Sequence, residues 1–215
     1  MPVNSSPLPQ ARTTYRHGGL RDALLAAGID MARRGGPDAV ILREATRTAG
    51  VSPNAAYRHF ADRQALVLAV SAVAQGMAAD RMEAELASVP STGDAASDAR
   101  RRLRAVGSGY VGFAREEPGL FRAAFSVPDD LSNSASPDKA GMAGLTPFQV
   151  LGEVLDELVA AGVLPTERRP GAELLAWSSV HGLGMLVIDG PLRGLDDRMI
   201  DGTMYGLLDM VDRGL

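Results

Sequence analysis

Apolar residues along this chain recur every three to four positions rather than every second one. Leu20, Leu24, Ala27 and Met31 mark a first helix, which Gly35-Gly36-Pro37 ends. A short apolar stretch at 39–42 leads into a brief helix over 42–49. Gly50 stops it, a residue suited to the left-handed conformation that closes helices. Ser52 then offers an N-cap and Pro53 a preset first turn, so a second short helix is expected from Pro53 to about His59. Asp62 caps a longer helix, on which Leu66, Val70, Val73, Met77, Met82 and Leu86 run to about Ser88 before Pro90 and Gly93 interrupt. Another spans about 94–116 with Leu103, Val106, Tyr110 and Phe113 on one stripe, and Pro118 opens a short one holding Phe121 and Phe125. Residues 127–144 form a turn-rich stretch expected to be mobile. Three further helices are expected at about 146–162, 171–189 and 195–213. There is no sustained period-2 run and no internal repeat, so the chain is expected to be all-α, with about nine helices.

Composition narrows the chemistry. The 215 residues, 46% hydrophobic and 22% charged, suit one or two ordinary globular domains. Cysteine is absent, which excludes disulfides, thiolate zinc sites and a thiol nucleophile. The three histidines, His17, His59 and His181, are far apart and fit no metal-binding motif, so neither metal nor cofactor is expected. No run of about 18 apolar residues and no secretory h-region is present, which leads to the expectation of a cytoplasmic protein without a membrane partner.

Charge is unevenly spread. The whole chain carries −4, but residues 1–63 hold nine arginines and five acids, a net +4, and the remainder a net −8. A basic head on an acidic body is the asymmetry expected when one end meets phosphates. The first 18 residues, with three prolines, Arg12, Arg16 and His17, read as a flexible basic arm. Residues 19–63 read as a helix-turn-helix unit, and 64–215 as a ligand-binding and dimerisation unit whose first part, 64–88, connects the two.

Within that head, the second short helix is polar outward and apolar inward. Tyr57 and Phe60 are the bulky residues that anchor it after the turn, Val51 and Ala55 or Ala56 can pack inside, and Asn54, Arg58 and His59 are left outward. The Ser52 hydroxyl and the first free N–H groups after it can meet a phosphate, and Arg43 and Arg47, one turn apart, flank the same groove.

The run AGVSPNAAYRHFADRQALVLAV resembles the recognition-helix segment of TetR-type transcriptional repressors. GGPDAVILREATRTAG before it is similar to their first helices and turn, and YRHGGLR to the lead-in of one subgroup. The resemblance covers about residues 15–70. Further on, Trp177-Ser-Ser-Val-His181-Gly182 is similar to a Trp-x-x-x-His-Gly element of one C-terminal domain type in the family. The resemblance implies a homodimer that represses transcription at a near-palindromic operator and releases the DNA when a small molecule binds. Ser52, Pro53, Asn54, Tyr57 and His59 match the family's recognition-helix contacts. Tyr57 and His59 would touch phosphates and Asn54 would read bases, while Arg43 matches a frequent contact on the preceding helix. There are departures: Ile41 stands where a capping Ser or Thr is usual, Ala45 and Thr46 differ from the common residues, and Arg63 replaces Lys. The missing cap costs about 1 kcal/mol of helix stability.

For the effector, the aromatic residues after position 90 are the natural wall of a pocket between bundle helices. Tyr110, Phe113, Phe121, Phe125, Phe148, Trp177 and His181 are the candidates, with Met142 and Met185 beside them, and the short Phe121/Phe125 helix is a candidate gate. Few charges accompany them, so an apolar or aromatic effector is expected. Ser178, His181 and Asp189 suggest a hydrolytic triad, but without a nucleophile elbow no catalytic residue is assigned. Gly182, Gly184, Gly202 and Gly206 inside predicted helices point to close packing against a symmetry mate. Two other readings stay open: a helical binding protein or enzyme without DNA binding, and a DNA-binding regulator whose pocket its own side chains fill.

Overall fold

The computed structural model describes residues 17–125 and 130–215. Nine α-helices occur among them: α1 (His17–Gly35), α2 (Leu42–Thr48), α3 (Pro53–Ala56), α4 (Arg63–Ala87), α5 (Ala95–Glu116), α6 (Pro118–Phe125), α7 (Pro147–Ala160), α8 (Ala172–Ile188) and α9 (Asp197–Gly214). No strand occurs among the described residues, and the all-α expectation holds. The basic arm with Arg12 and Arg16 lies outside the described residues. Helix α1 starts at His17, so the last two residues assigned to the arm are helical.

Local sequence sets most boundaries. Asp62 accepts the Ala65 N–H at 2.8 Å to start α4, and Asp196 accepts that of Met199 to start α9. Thr146, fully buried, forms a reciprocal capping box with Gln149 at the start of α7. Ile41 leaves α2 without a side-chain cap, as its type requires.

Helices α1–α3 form the head around Leu24, Val40, Ala56, Phe60 and Leu66, all buried. Helix α4 leaves the head and runs through the body, where it packs against α5, α6 and α7. By length and composition it matches a membrane span, but half of its apolar window is buried inside the bundle, so its hydrophobicity is that of a core helix. Arg63, at its first turn, donates to the carbonyls of Val40 and Pro37 at 2.7 Å each and ties the start of α4 to the turn before α2. Arginine at this position therefore staples the head, a role that its charge alone does not explain.

Helix α9 is fastened to α5 by ion pairs. Arg100 and Arg104 both reach Asp212, whose side chain is buried, at 2.5 and 2.7 Å, and Arg115 reaches Asp197 and Asp201 at 2.7 and 2.6 Å.

The stretch expected to be mobile is anchored at points along its described part, although most of its described residues are exposed. Residues 130–146 form 3-10 turns at Leu131–Asn133 and Pro137–Lys139, and the Met142 N–H donates to Asp80 on α4 at 2.6 Å. Turn composition alone does not reveal such anchors, because they are long-range.

Helix α6 sits across the boundary between head and body. Its Gly119 lies so close to α1 that a Cβ there would be 2.3 Å from the carbonyl oxygens of both Ala32 and Arg33. Both obstacles are backbone, and a helix cannot yield as a side-chain end can. Gly119→Ala is expected to cost about 1–3 kcal/mol, the range for overpacking, read as a lower urea midpoint. An unchanged midpoint would show that α6 is not seated on α1 as described.

Candidate functional site

The head's outer face is built from α2, the turn and α3. Gly50 has φ +67° with nothing near its Cβ position, so the turn needs the freedom of glycine rather than space. The Val51 N–H returns to the Thr46 carbonyl at 3.0 Å. Ser52, extended, accepts the Ala55 N–H, and Pro53 occupies the first helical position. The α-helix ends at Ala56, three residues short of the expected His59. The reason is geometric: the Ala56 carbonyl receives both the His59 and the Phe60 N–H, a tightened turn that swings Phe60 into the core. Arg21 lies over the Phe60 ring at 5.4 Å.

Asn54, Tyr57 and Arg58 are exposed, His59 is half-buried, and Ser52 and Pro53 stand open at the helix start. Tyr57, a large aromatic, is 49% exposed, an arrangement that a monomer in water gains nothing from. Arg43 and Arg58 make no hydrogen bond or ion pair among the described residues. Arg47 pairs with Glu44 at 2.5 Å on the open surface, a contact worth about 0.2–1 kcal/mol and so easily exchanged for a phosphate.

In the body, a cavity of about 440 Å³ lies between α4, α5, α7, α8 and α9 and the end of α6. Tyr110, Phe125, Phe148, Trp177 and His181 line it. Trp177 Nε1–H donates to the Tyr110 hydroxyl at 2.9 Å, and that hydroxyl meets His181 Nδ1, also at 2.9 Å. Burial pushes the Tyr110 phenol far above its ordinary range, so it stays protonated. Burial lowers the His181 imidazole below its ordinary 6.5, so it is neutral at neutral pH.

Two candidates do not line the cavity. Phe121 is fully buried behind it, packed on Phe125, Tyr110 and His181 at ring distances of 5.0, 5.4 and 5.5 Å, and Phe113 lies behind Phe121 at 6.4 Å. They form a second layer that positions the wall. Met142 is 96% exposed and Met185 also faces outward, so neither belongs to the wall. Conversely, Lys139, the only lysine, is buried at the cavity's edge with Asp130, and its Nζ donates to the Asn133 carbonyl at 2.8 Å. The wall is therefore less charge-free than its helices alone suggest. No sequence signal marks this lysine apart from its being unique.

The suspected triad does not assemble. Ser178 donates to the Leu175 carbonyl, Asp189 is held by Arg122 at 2.6 Å, and His181 Nδ1 faces Tyr110.

Head and cavity meet through α6. At one end Glu117 accepts from Arg33 of α1 at 3.0 Å, and Gly119 rests on the α1 backbone. At the other end Phe125 lines the cavity, and Ser71 and Gln75 of α4 both donate to the Ala124 carbonyl at 3.0 Å. Arg122, between them, reaches Asp189 at the end of α8.

A helix-turn-helix head joined to a cavity-bearing helical bundle defines a class of transcription regulators. Residues 24–70 match the model of the tetR family of bacterial regulatory proteins, and 103–211, half of the chain, match that of the tetracyclin repressor-like C-terminal domain. The chain belongs to the TetR family. No curated protein matches it. A solved structure from Rhodococcus sp. RHA1, of unknown function, is 27% identical at a TM-score of 0.69, over 95% of this chain and 99% of its own. A Shewanella sp. PV-4 protein assigned to the tetR family of transcription regulators shares the fold at 19% identity and a TM-score of 0.55, over 88% of this chain and 95% of its own.

Burial of the neutral His181 ring makes stability depend on pH. Below about pH 6.5 the unfolded chain binds a proton at His181 that the folded chain resists. Stability tied to the neutral ring is therefore fully present above that pH and lost as pH falls. His181→Gln removes this dependence. Urea unfolding at about pH 7.5 and 5.5 should show wild type losing more on acidification than the variant; equal losses would contradict a buried neutral ring.

Proposed function

We propose that this chain is a ligand-responsive repressor that binds a near-palindromic operator as a homodimer and leaves it when a small apolar or aromatic molecule occupies the body cavity. One observation carries the reading: α6 rests on the head at one end and lines the cavity at the other. A ligand that fits the cavity better when Phe125 is displaced moves the seat of α1. It shifts the population off DNA by no more than its differential affinity for the two states.

In this reading Asn54 reads bases, while Ser52, Pro53, Tyr57, Arg58 and His59 meet the backbone, flanked by Arg43 and Arg47 from α2. Such a protein acts in the cytoplasm, where its operator is.

The dimer surface is the outer face of α8 and α9. Leu175 and Tyr205 are 62% and 65% exposed, and Leu186, Met199 and Met210 accompany them. An apolar face of this extent marks an association surface. Gly182, Gly202 and Gly206 have nothing within 4 Å of a Cβ position, which leaves room for a second backbone to approach. Gly184 is different: it accommodates Phe121 and Ala114 within the same chain, so its reason is internal.

Selection from a random duplex pool tests the function. The expected product is an inverted repeat whose half-sites lie one helical turn apart, about 34–36 Å; failure to enrich any symmetric sequence would contradict it. The dimer surface is tested separately. Gly202→Ala should stabilise an isolated helix by about 1 kcal/mol. In this dimer it is expected instead to weaken self-association in analytical ultracentrifugation, as should Tyr205→Arg. An unchanged dimer in both variants would remove this face from the interface.

A further inference from the structure

The polar chain in the cavity has a direction, and the direction specifies the effector. Trp177 Nε1 carries a hydrogen and accepts nothing, so in its contact with Tyr110 the tyrosine oxygen is the acceptor. The protonated Tyr110 hydroxyl has one hydrogen, and its remaining partner is His181 Nδ1. Nδ1 therefore accepts, and the neutral ring carries its own hydrogen on Nε2. That N–H has no acceptor among the described residues, and it is not sealed away as a buried unsatisfied group.

Of the other donors at the wall, Lys139 Nζ at the loop edge gives to the Asn133 carbonyl, and those on the α-helices are spent. Trp177 gives to Tyr110, Tyr110 to His181, Gln75 to the Ala124 carbonyl and Ser178 to the Leu175 carbonyl. Ser134, on the loop side, has a hydroxyl that donates or accepts by rotation and so sets no preference. The ring itself is fixed: it stacks on Phe121 at 25° and meets Phe125 and Trp177 edge-on.

We propose that His181 Nε2–H is the polar anchor of the cavity and that the effector is a neutral, largely aromatic molecule bearing a carbonyl-type hydrogen-bond acceptor. The Trp177–Tyr110–His181 chain is the device that locks the donor form of the ring. This rests on the reading of the cavity as the effector site. A molecule of the same shape without the acceptor leaves the N–H unpaired against an apolar surface, and a donor-only molecule meets a donor.

Two measurements test it on the full chain. The first needs no ligand: a long-range 1H–15N spectrum of histidine-labelled protein near pH 7.5 should show His181 as the Nε2–H form. In Tyr110→Phe, which keeps the ring and removes the hydroxyl, that single form should give way to a mixture. A wild-type ring protonated on Nδ1 would overturn the proposal. The second is calorimetric titration with 1-tetralone and with tetralin, which differ by one carbonyl. The ketone should bind about three- to tenfold more tightly, the worth of one hydrogen bond, and His181→Phe should erase the difference while both molecules still bind. Equal wild-type affinities would overturn the acceptor requirement and leave the effector cavity standing. No binding of either molecule would defeat the cavity reading and the proposal together.

Discussion

The close seating of α6 on α1 is the contact on which the rest of the architecture depends. It exists because residue 119 has no side chain. With two backbone carbonyls 2.3 Å from where a Cβ would stand, any other residue pushes the helices apart. Behind this contact, Leu120 and Phe121 are completely buried, and Phe121 in turn holds Tyr110, Phe125 and His181 in place. The same eight-residue helix thus fixes the angle of the head and the back wall of the cavity. Interiors packed this tightly do not deform continuously. A change at Phe125 must therefore reach the α1 seat as a shift of the whole short helix or not at all.

Charge is distributed by the same logic. The body's arginines are largely consumed by its acids: Arg100 and Arg104 by Asp212, Arg102 by Glu157, Arg115 by Asp197 and Asp201, Arg122 by Asp189, and Arg169 by Asp156 and Glu173. These pairs fasten helices to one another. In the head, Arg43 and Arg58 are left unspent beside an exposed Asn54 and Tyr57. A chain with a net charge of −4 can therefore still present a positive surface at one end.

Much of this was legible in the sequence because the signals are local. Asp62 caps the helix that its position predicts, and the Gly50–Ser52–Pro53 run dictates the turn within a few residues. The head's identity rests on one continuous stretch. What escaped is long-range. The tightened end of α3 follows from where Phe60 must go. The placing of Phe113 and Phe121 behind the wall follows from how α6 crosses α5. The burial of Lys139 and the anchoring of 130–146 on α4 depend on contacts across the fold. Gly184 looked like its three neighbours in composition, but only the packed structure separates it from Gly182, Gly202 and Gly206.

The proposed function requires the head to bind DNA through its unspent cations, with Asn54 reading bases. Fluorescence anisotropy of a labelled mixed-sequence duplex, titrated between about 50 and 200 mM salt, addresses it most directly. Affinity is expected to fall steeply and linearly on logarithmic axes as counterions are released. Arg58→Ala should lower the slope by about one. Binding that is absent even at the lowest salt, or that ignores salt altogether, would contradict it.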